Sequence, residues 1–183
     1  MVIREEDARE KHVLEVAKSM MTAARTAPKG CGIDHLEMAV LTGEEINRLA
    51  AEMRRLGELH GRGFFLRDAD NVENSQAVVL IGCHSAVRNL DCGLCGSPTC
   101  REKQTAAPAV PCTFDVTDLG IAVGSAVAMA ADFRIDNRIL YSAGVTAREM
   151  GLLPGCSIVY AIPLSVNGKN IYFDRTSKCQ AGK

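Results

Sequence analysis

Hydrophobic and polar positions along the chain alternate with two different periods. Over residues 5–27, Val13, Ala17, Met20 and Ala24 recur at three- and four-residue steps, the apolar stripe of a helix, and Pro28-Lys29-Gly30 stops it. Leu36, Met38 and Val40 then alternate with Glu37, Ala39 and Leu41, as in a largely buried strand. Thr42 and Glu45 have capping-box spacing ahead of a helical run of Ile46, Leu49, Met53 and Leu56, closed by Gly61 and Gly63. Residues 64–75 turn polar after two aromatics and read as irregular. Residues 77–83, AVVLIGC, are a continuous branched run and predict an interior strand. Residues 85–111 carry cysteine, glycine and proline with little periodicity, so a loop is expected there. Asp118 is placed to N-cap a helix over 119–131, whose Gly120, Gly124 and Ala128 lie four apart on one face. That face reads as the small-residue side of a core helix, open to close approach by a neighbour. A further helix is predicted over 143–150 and a strand over 157–164, with Asn167-Gly168 turning into a short partner strand at 171–173. Helices and strands mix without a βαβ rhythm or internal repeat, which makes the class α+β.

Composition narrows the functions. The 183 residues are 47% hydrophobic and 23% charged, values of a globular chain, and we expect one domain over 1–183 with a loop insert at 83–112. Twenty-one basic against 22 acidic residues give a net charge of −1, and no tryptophan is present. That leaves neither the basic footprint nor the stacking platform of a nucleic-acid binder. The N-terminus MVIREEDAREK has no apolar signal core, and the apolar stretch 119–131 is short for a bilayer. The expectation is a cytoplasmic protein with no membrane partner, in a compartment that keeps thiols reduced.

Eight cysteines then become the main chemical signal. Cys31, Cys156 and Cys179 are scattered, while Cys83, Cys92, Cys95, Cys100 and Cys112 fall close together. The pattern Cys92-x2-Cys95-x4-Cys100-x11-Cys112 supplies the four thiolates of a cubane [4Fe-4S] cluster, one per iron. Gly93 and Gly96 would let backbone amides approach the inorganic sulfides, and Pro98 and Pro111 stiffen the loop. Zinc also accepts four cysteines but usually from two short-spaced pairs, and here only Cys92 and Cys95 form one. Dithiol chemistry at Cys92 and Cys95 would leave Cys100 and Cys112 unexplained. His12, His35, His60 and His84 show no sequence pairing with a carboxylate or serine that would signal acid–base chemistry. Cys31 reads as a buried residue in preference to a substrate-facing thiol. Asp132, Arg134, Asp136, Asn137 and Arg138 read as a solvated loop.

The segment CGLCGSPTC resembles the cluster motif of the four-iron domains in the large subunit of the corrinoid iron–sulfur protein and related electron-transfer subunits. Those domains place a fourth cysteine after a longer gap and before a proline. Here Pro111 precedes Cys112, which makes Cys83 a competitor for the fourth position, against its plainer reading as a buried residue closing a strand. Nearly the whole chain is similar to a small uncharacterised family that contains a ferredoxin domain, most strongly at AARTAPKG, CGLCGSPTC, DLGIAVGSAVAMAADFRIDNR and IPLS-x2-GKN-x2-FDR. Apart from the loop, the same segments are similar in order to the flavin-dependent nitroreductases. That resemblance implies a mixed, largely antiparallel sheet flanked by helices, an intertwined homodimer and flavin mononucleotide (FMN) at the interface. Arg25, Lys29, Gly30, Lys169 and Arg175 occupy the matching segments and are the candidate flavin contacts. The arginine- and serine-rich turn that precedes the first helix in nitroreductases has no counterpart here. The implied function is a redox protein whose cluster passes electrons to a flavin or substrate at a dimer-interface pocket. The alternatives are an electron carrier without flavin and a zinc-stapled structural protein.

Overall fold

The computed structural model describes residues 1–173, so Arg175 and Cys179 lie outside the described residues. Six α-helices and four strands follow in order: α1 (Glu5–Thr26), β1 (Leu36–Leu41), α2 (Glu44–Leu59), α3 (Gly63–Glu73), β2 (Ala77–Cys83), α4 (Cys100–Ala106), α5 (Thr113–Asp132), β3 (Asp136–Asn137), α6 (Tyr141–Glu149) and β4 (Ile158–Ser165), with one 3-10 turn at Gly30–Gly32. The sheet runs β1-β2-β4-β3, and every pairing in it is antiparallel. Because strand side chains alternate, β2 serves two cores at once. Ala77, Val79, Ile81 and Cys83 face α1 and α5, while Val78 and Leu80 face the layer of α2, α3 and α6. All seven residues of β2 are buried, in keeping with their unbroken apolar run.

Several expectations need correction. Most of 64–75 is helical, as part of α3: Phe65, Ala69 and Val72 sit at i, i+4 and i+7 and bury α3 against α2, a stripe hidden by the polar residues between them. The capping box does not form, since Gly43 is the N-cap of α2 and no side chain caps it. No strand forms at 171–173, and β4 pairs instead with Asp136 and Asn137, in the run expected to be a solvated loop.

Helix α5 begins at Thr113, with Cys112 in the N-cap position, so Asp118 lies inside it and turns inward to buried polar partners. By length and composition α5 is long and apolar enough to cross a membrane. Here it packs Leu119, Ala122, Ala126 and Ala130 against α1 and the sheet, and Ser125 Oγ donates to Ala23 O at 3.0 Å. The Gly120, Gly124 and Ala128 face points outward, with open space where the two glycines' Cβ atoms would stand. Both sides of this helix are apolar, and the inner side is formed by Leu119 and Val123 with small alanines that let α1 and the sheet approach, while Val116 and Ile121 face outward.

Candidate metal centre

Where β2 ends, the chain leaves the sheet and runs through the cysteine loop to α4 and α5. Gly93 (φ +70°) and Gly96 (φ +85°) take left-handed conformations that favour glycine, and Gly96 N donates to Gly93 O at 2.9 Å. The Gly96 amide is thus used within the turn. Asp91 Oδ1 accepts from Cys100 N at 2.7 Å, and Thr99 caps α4 by accepting from Glu102 N. These bonds set Cys100 at the first position of α4 and Cys112 at the start of α5.

Cys92, Cys95, Cys100 and Cys112 line one small recess together with the apolar side chains of Leu90 and Phe114. Cys92 is exposed, Cys95 and Cys100 are half-buried and Cys112 is buried. Cys83 is not in that lining; it belongs to the core between the sheet and α1. Burial, with the negative charge of Asp115 adding to it, pushes the Cys83 thiol up to about 11. Two cations join the cysteines. Arg88 has a side chain only 1% exposed, and its Nε is buried without a hydrogen-bond partner. Lys103 is 3% exposed and lines the recess, and no hydrogen bond or ion pair engages its ammonium among the described residues.

Sequence reasoning missed the polar network behind this recess. Arg88 Nη1 and His35 Nδ1 both face Asp115 Oδ1, at 2.8 and 2.9 Å, and Ala86 N donates to the other oxygen at 2.9 Å. Arg88 Nη2 lies 3.0 Å from Asp118 Oδ2, and the Asp118 carboxylate accepts from Gly30 N. The network therefore joins the cysteine loop, α5 and the turn after α1. Its members are eighty or more residues apart at the extremes, so no local spacing could reveal it. His84 also has a carboxylate partner, with Nε2 2.8 Å from Glu37 Oε1.

Of the candidate flavin contacts among the described residues, Arg25, Lys29 and Gly30 lie together at the end of α1 and Lys169 lies elsewhere. Lys29 Nζ donates to the carbonyls of Ala24, Arg25 and Ala27 at 2.6–2.7 Å, which uses its three N–H groups to close the C-terminal end of α1. Gly30 N is taken by Asp118, and a Cβ there would meet Phe114 Cδ1 at 2.7 Å. Arg25 pairs with Asp34 at 2.7 Å and donates to Leu36 O. Though partial burial of Asp34 opposes it, the Arg25 bond, the Leu36 amide and Lys29 hold that carboxyl below its ordinary value. Lys169 is exposed three residues beyond Val166, whose carbonyl accepts from Arg9 near the other end of α1. Arg9 and Arg25 are separated by about 24 Å along the helix axis at 1.5 Å per residue. Cys31, expected to be buried, is exposed in a tight turn at φ +58°.

Comparison with known proteins agrees with this architecture. The family model "Uncharacterized protein containing a ferredoxin domain (DUF2148)" matches residues 108–175. An uncharacterised protein of Archaeoglobus fulgidus is 38% identical over 185 residues, covering 97% of this chain and 100% of that protein. Among solved structures, a putative nitroreductase in complex with FMN from Desulfovibrio desulfuricans superimposes with a TM-score of 0.56 and 16% identity, over 91% of this chain and 81% of that one. The NADPH:FMN oxidoreductase of Vibrio harveyi gives a TM-score of 0.55 and 13% identity over 85% of this chain, which spans only 60% of that enzyme's length. By its close archaeal relative and its matched family model, the chain belongs to the ferredoxin-domain-containing family DUF2148, and its fold is that of the nitroreductases.

Proposed function

We propose that this protein is a cytoplasmic redox protein that holds one [4Fe-4S] cluster on Cys92, Cys95, Cys100 and Cys112 and exchanges electrons through it. The observation that carries the reading is the meeting of four cysteines and two buried cations in one recess. Four thiolates outweigh the positive charge of the iron–sulfide cube, so the assembly is an anion; Lys103 is the counter-charge at hand, while Arg88, already held by Asp115 and Asp118, ties the loop to α5. The start of α5 at Cys112 adds the positive end of a twenty-residue helix. A single zinc ion would need its sulfurs about 3.8 Å apart, from tetrahedral bonds of about 2.3 Å. Among the described residues, the group whose ligand atoms fall within 4.8 Å of one another is a different one, so the four loop sulfurs do not stand at zinc spacing. When bound, such a cluster supplies one-electron transfer at a potential set by charge, hydrogen bonds and exposure. Phe114 lines the recess, while exposed Leu90, Leu94 and Val110 present apolar surface for a redox partner.

The acceptor in this reading is a flavin or substrate in a pocket between two copies of the chain. The outward apolar face of α5, with Val116 and Ile121 beside the small residues, is suited to a second copy. A dimer would also be the way for Lys169 to meet the segment carrying Arg25 and Gly30. The FMN-bound neighbours support this version. A carrier without flavin is the second reading, favoured by the engagement of Lys29 and of the Gly30 amide within the chain.

Anaerobically purified protein tests both. The reading predicts brown protein and loss of iron in Cys100→Ser; unchanged iron in that variant refutes the ligand set, and a colourless protein whose zinc is bound through four sulfurs refutes the cluster. Flavin fluorescence after heating, with FMN supplied beforehand, distinguishes the flavin enzyme from the flavin-free carrier.

A further inference from the structure

We propose that Glu37, His84 and Cys156 form a second metal site, for a single zinc-class ion, at the end of the sheet from which the cysteine loop departs. The site is separate from the four-cysteine recess and does not depend on the iron–sulfur reading. Strand register assembles it. Glu37 of β1 pairs with Gly82 of β2, and His84 follows two residues later, its amide bonded to His35 O at 3.0 Å. Ser157 N donates to Cys83 O at 2.8 Å, which brings Cys156 alongside. The three ligand atoms all lie within 4.8 Å of one another.

Two glycines make the space. A Cβ on Gly82 would stand 3.0 Å from Cys156 Sγ, and one on Gly155, at φ +79°, would stand 3.1 Å from the His84 ring. Each seats one ligand, the sulfur or the imidazole. Gly155 also needs its left-handed conformation, so a side chain there would be strained as well as crowded.

Thiolate, imidazole and carboxylate are all zinc ligands, at about 2.3 Å for sulfur and about 2.0–2.2 Å for nitrogen and oxygen. Around a tetrahedral ion such ligands stand roughly 3.3–3.8 Å apart. The His84–Glu37 contact of 2.8 Å would open slightly on binding. Both side chains are partly exposed, at 38% and 43%, and have room to turn, whereas Cys156 is 6% exposed and fixed. Three protein ligands facing solvent on one side leave a fourth position for water, which distinguishes this arrangement from a closed structural site.

The alternative is an ordinary His–Glu ion pair beside an inert buried thiol. A nucleophilic thiol–imidazole pair is not what is built. Burial, with the charges of Glu37 and Cys83 adding to it, pushes Cys156 up to about 11, and no hydrogen bond joins it to His84 among the described contacts. A divalent cation would oppose both influences and hold the sulfur as thiolate.

Zinc is titrated into the intact protein against a chromophoric chelator, and zinc X-ray absorption is recorded after desalting. One zinc per chain is expected, bound through one sulfur near 2.3 Å and nitrogen or oxygen near 2.0–2.1 Å. His84→Ala and Glu37→Gln, at half-exposed positions, should each weaken binding by on the order of 100-fold, the upper end of what even outer-shell losses cost. Cys100→Ser should leave zinc binding unchanged, so failure of the iron–sulfur reading and failure of this one are separable. Zinc binding lost in Cys100→Ser, no zinc retained, or equal affinity in His84→Ala overturns the site.

Discussion

Replacing Arg88 with methionine probes the network that ties the cysteine loop to the body of the protein. Methionine keeps much of the stem volume but removes the guanidinium, 1% exposed, that faces Asp115 at 2.8 Å and Asp118 at 3.0 Å. Asp115 is fully buried and Asp118 nearly so, and they stand one helical turn apart on α5. Without the cation, two buried carboxylates share one site, with the amides of Ala86 and Gly30 and the His35 ring left to satisfy them. Removing one partner of a buried pair costs about 3–5 kcal/mol. That is a large share of a typical stability of about 5–15 kcal/mol. At roughly 2–4 °C per kcal/mol for a chain of this size, the melting temperature should fall by about 6–20 °C. Urea and thermal unfolding followed by circular dichroism measure it, and Arg88→Lys, which keeps the charge but not the planar fork, should fall between the two. A loss below about 1 kcal/mol with an unchanged urea slope would refute the reasoning, because it would mean the pairs are screened as surface pairs are.

Further outcomes follow from the same geometry. Lys103→Met should lower the cluster's reduction potential by up to about 100 mV, from roughly 2.4 kcal/mol at ~7 Å and an effective dielectric of ~20. Lys103→Arg should restore it, and equal potentials in all three proteins would contradict the role of the cation. Lys29→Met leaves three carbonyls at the end of α1 without their donor and should cost about 2 kcal/mol, with no change in any flavin bound. A loss of flavin without a loss of stability would reverse that assignment. The Cys83 thiol ionises near 9 when free and near 11 here, so the fold favours its protonated form. Its contribution is complete below pH 9 and is lost as pH rises through about 11. Stability should therefore decline over that range, and less steeply in Cys83→Ala; parallel curves for the two proteins would exclude the thiol as the source.

Period and composition revealed much of this fold because the elements that bury one face announce themselves. The stripe of α1, the alternation of β1 and the unbroken run of β2 each have one arrangement that hides their apolar side. Helix α3 escaped because Arg67, Asp68, Asp70 and Asn71 dominate its composition, although Phe65, Ala69 and Val72 carried the signal. On α5 nearly every position is apolar or small, so local pattern could not tell which side faces inward. The hairpin at Asn167-Gly168 failed for a tertiary reason: β3 takes the partner edge of β4, and Tyr172 turns inward to Ser75 Oγ at 2.8 Å. Cysteine spacing pointed to the recess, but the buried cations beside it could not be read the same way. Arg88 and Lys103 look like ordinary surface residues until the loop and two helices enclose them. His84 and Glu37 likewise meet only through strand register.

The most direct test of the cluster is to count iron and acid-labile sulfide per chain in protein purified without oxygen. The account predicts about four of each, in equal amounts, as the cubane requires. Iron and sulfide near zero, with the four loop thiols all free to react, would contradict it.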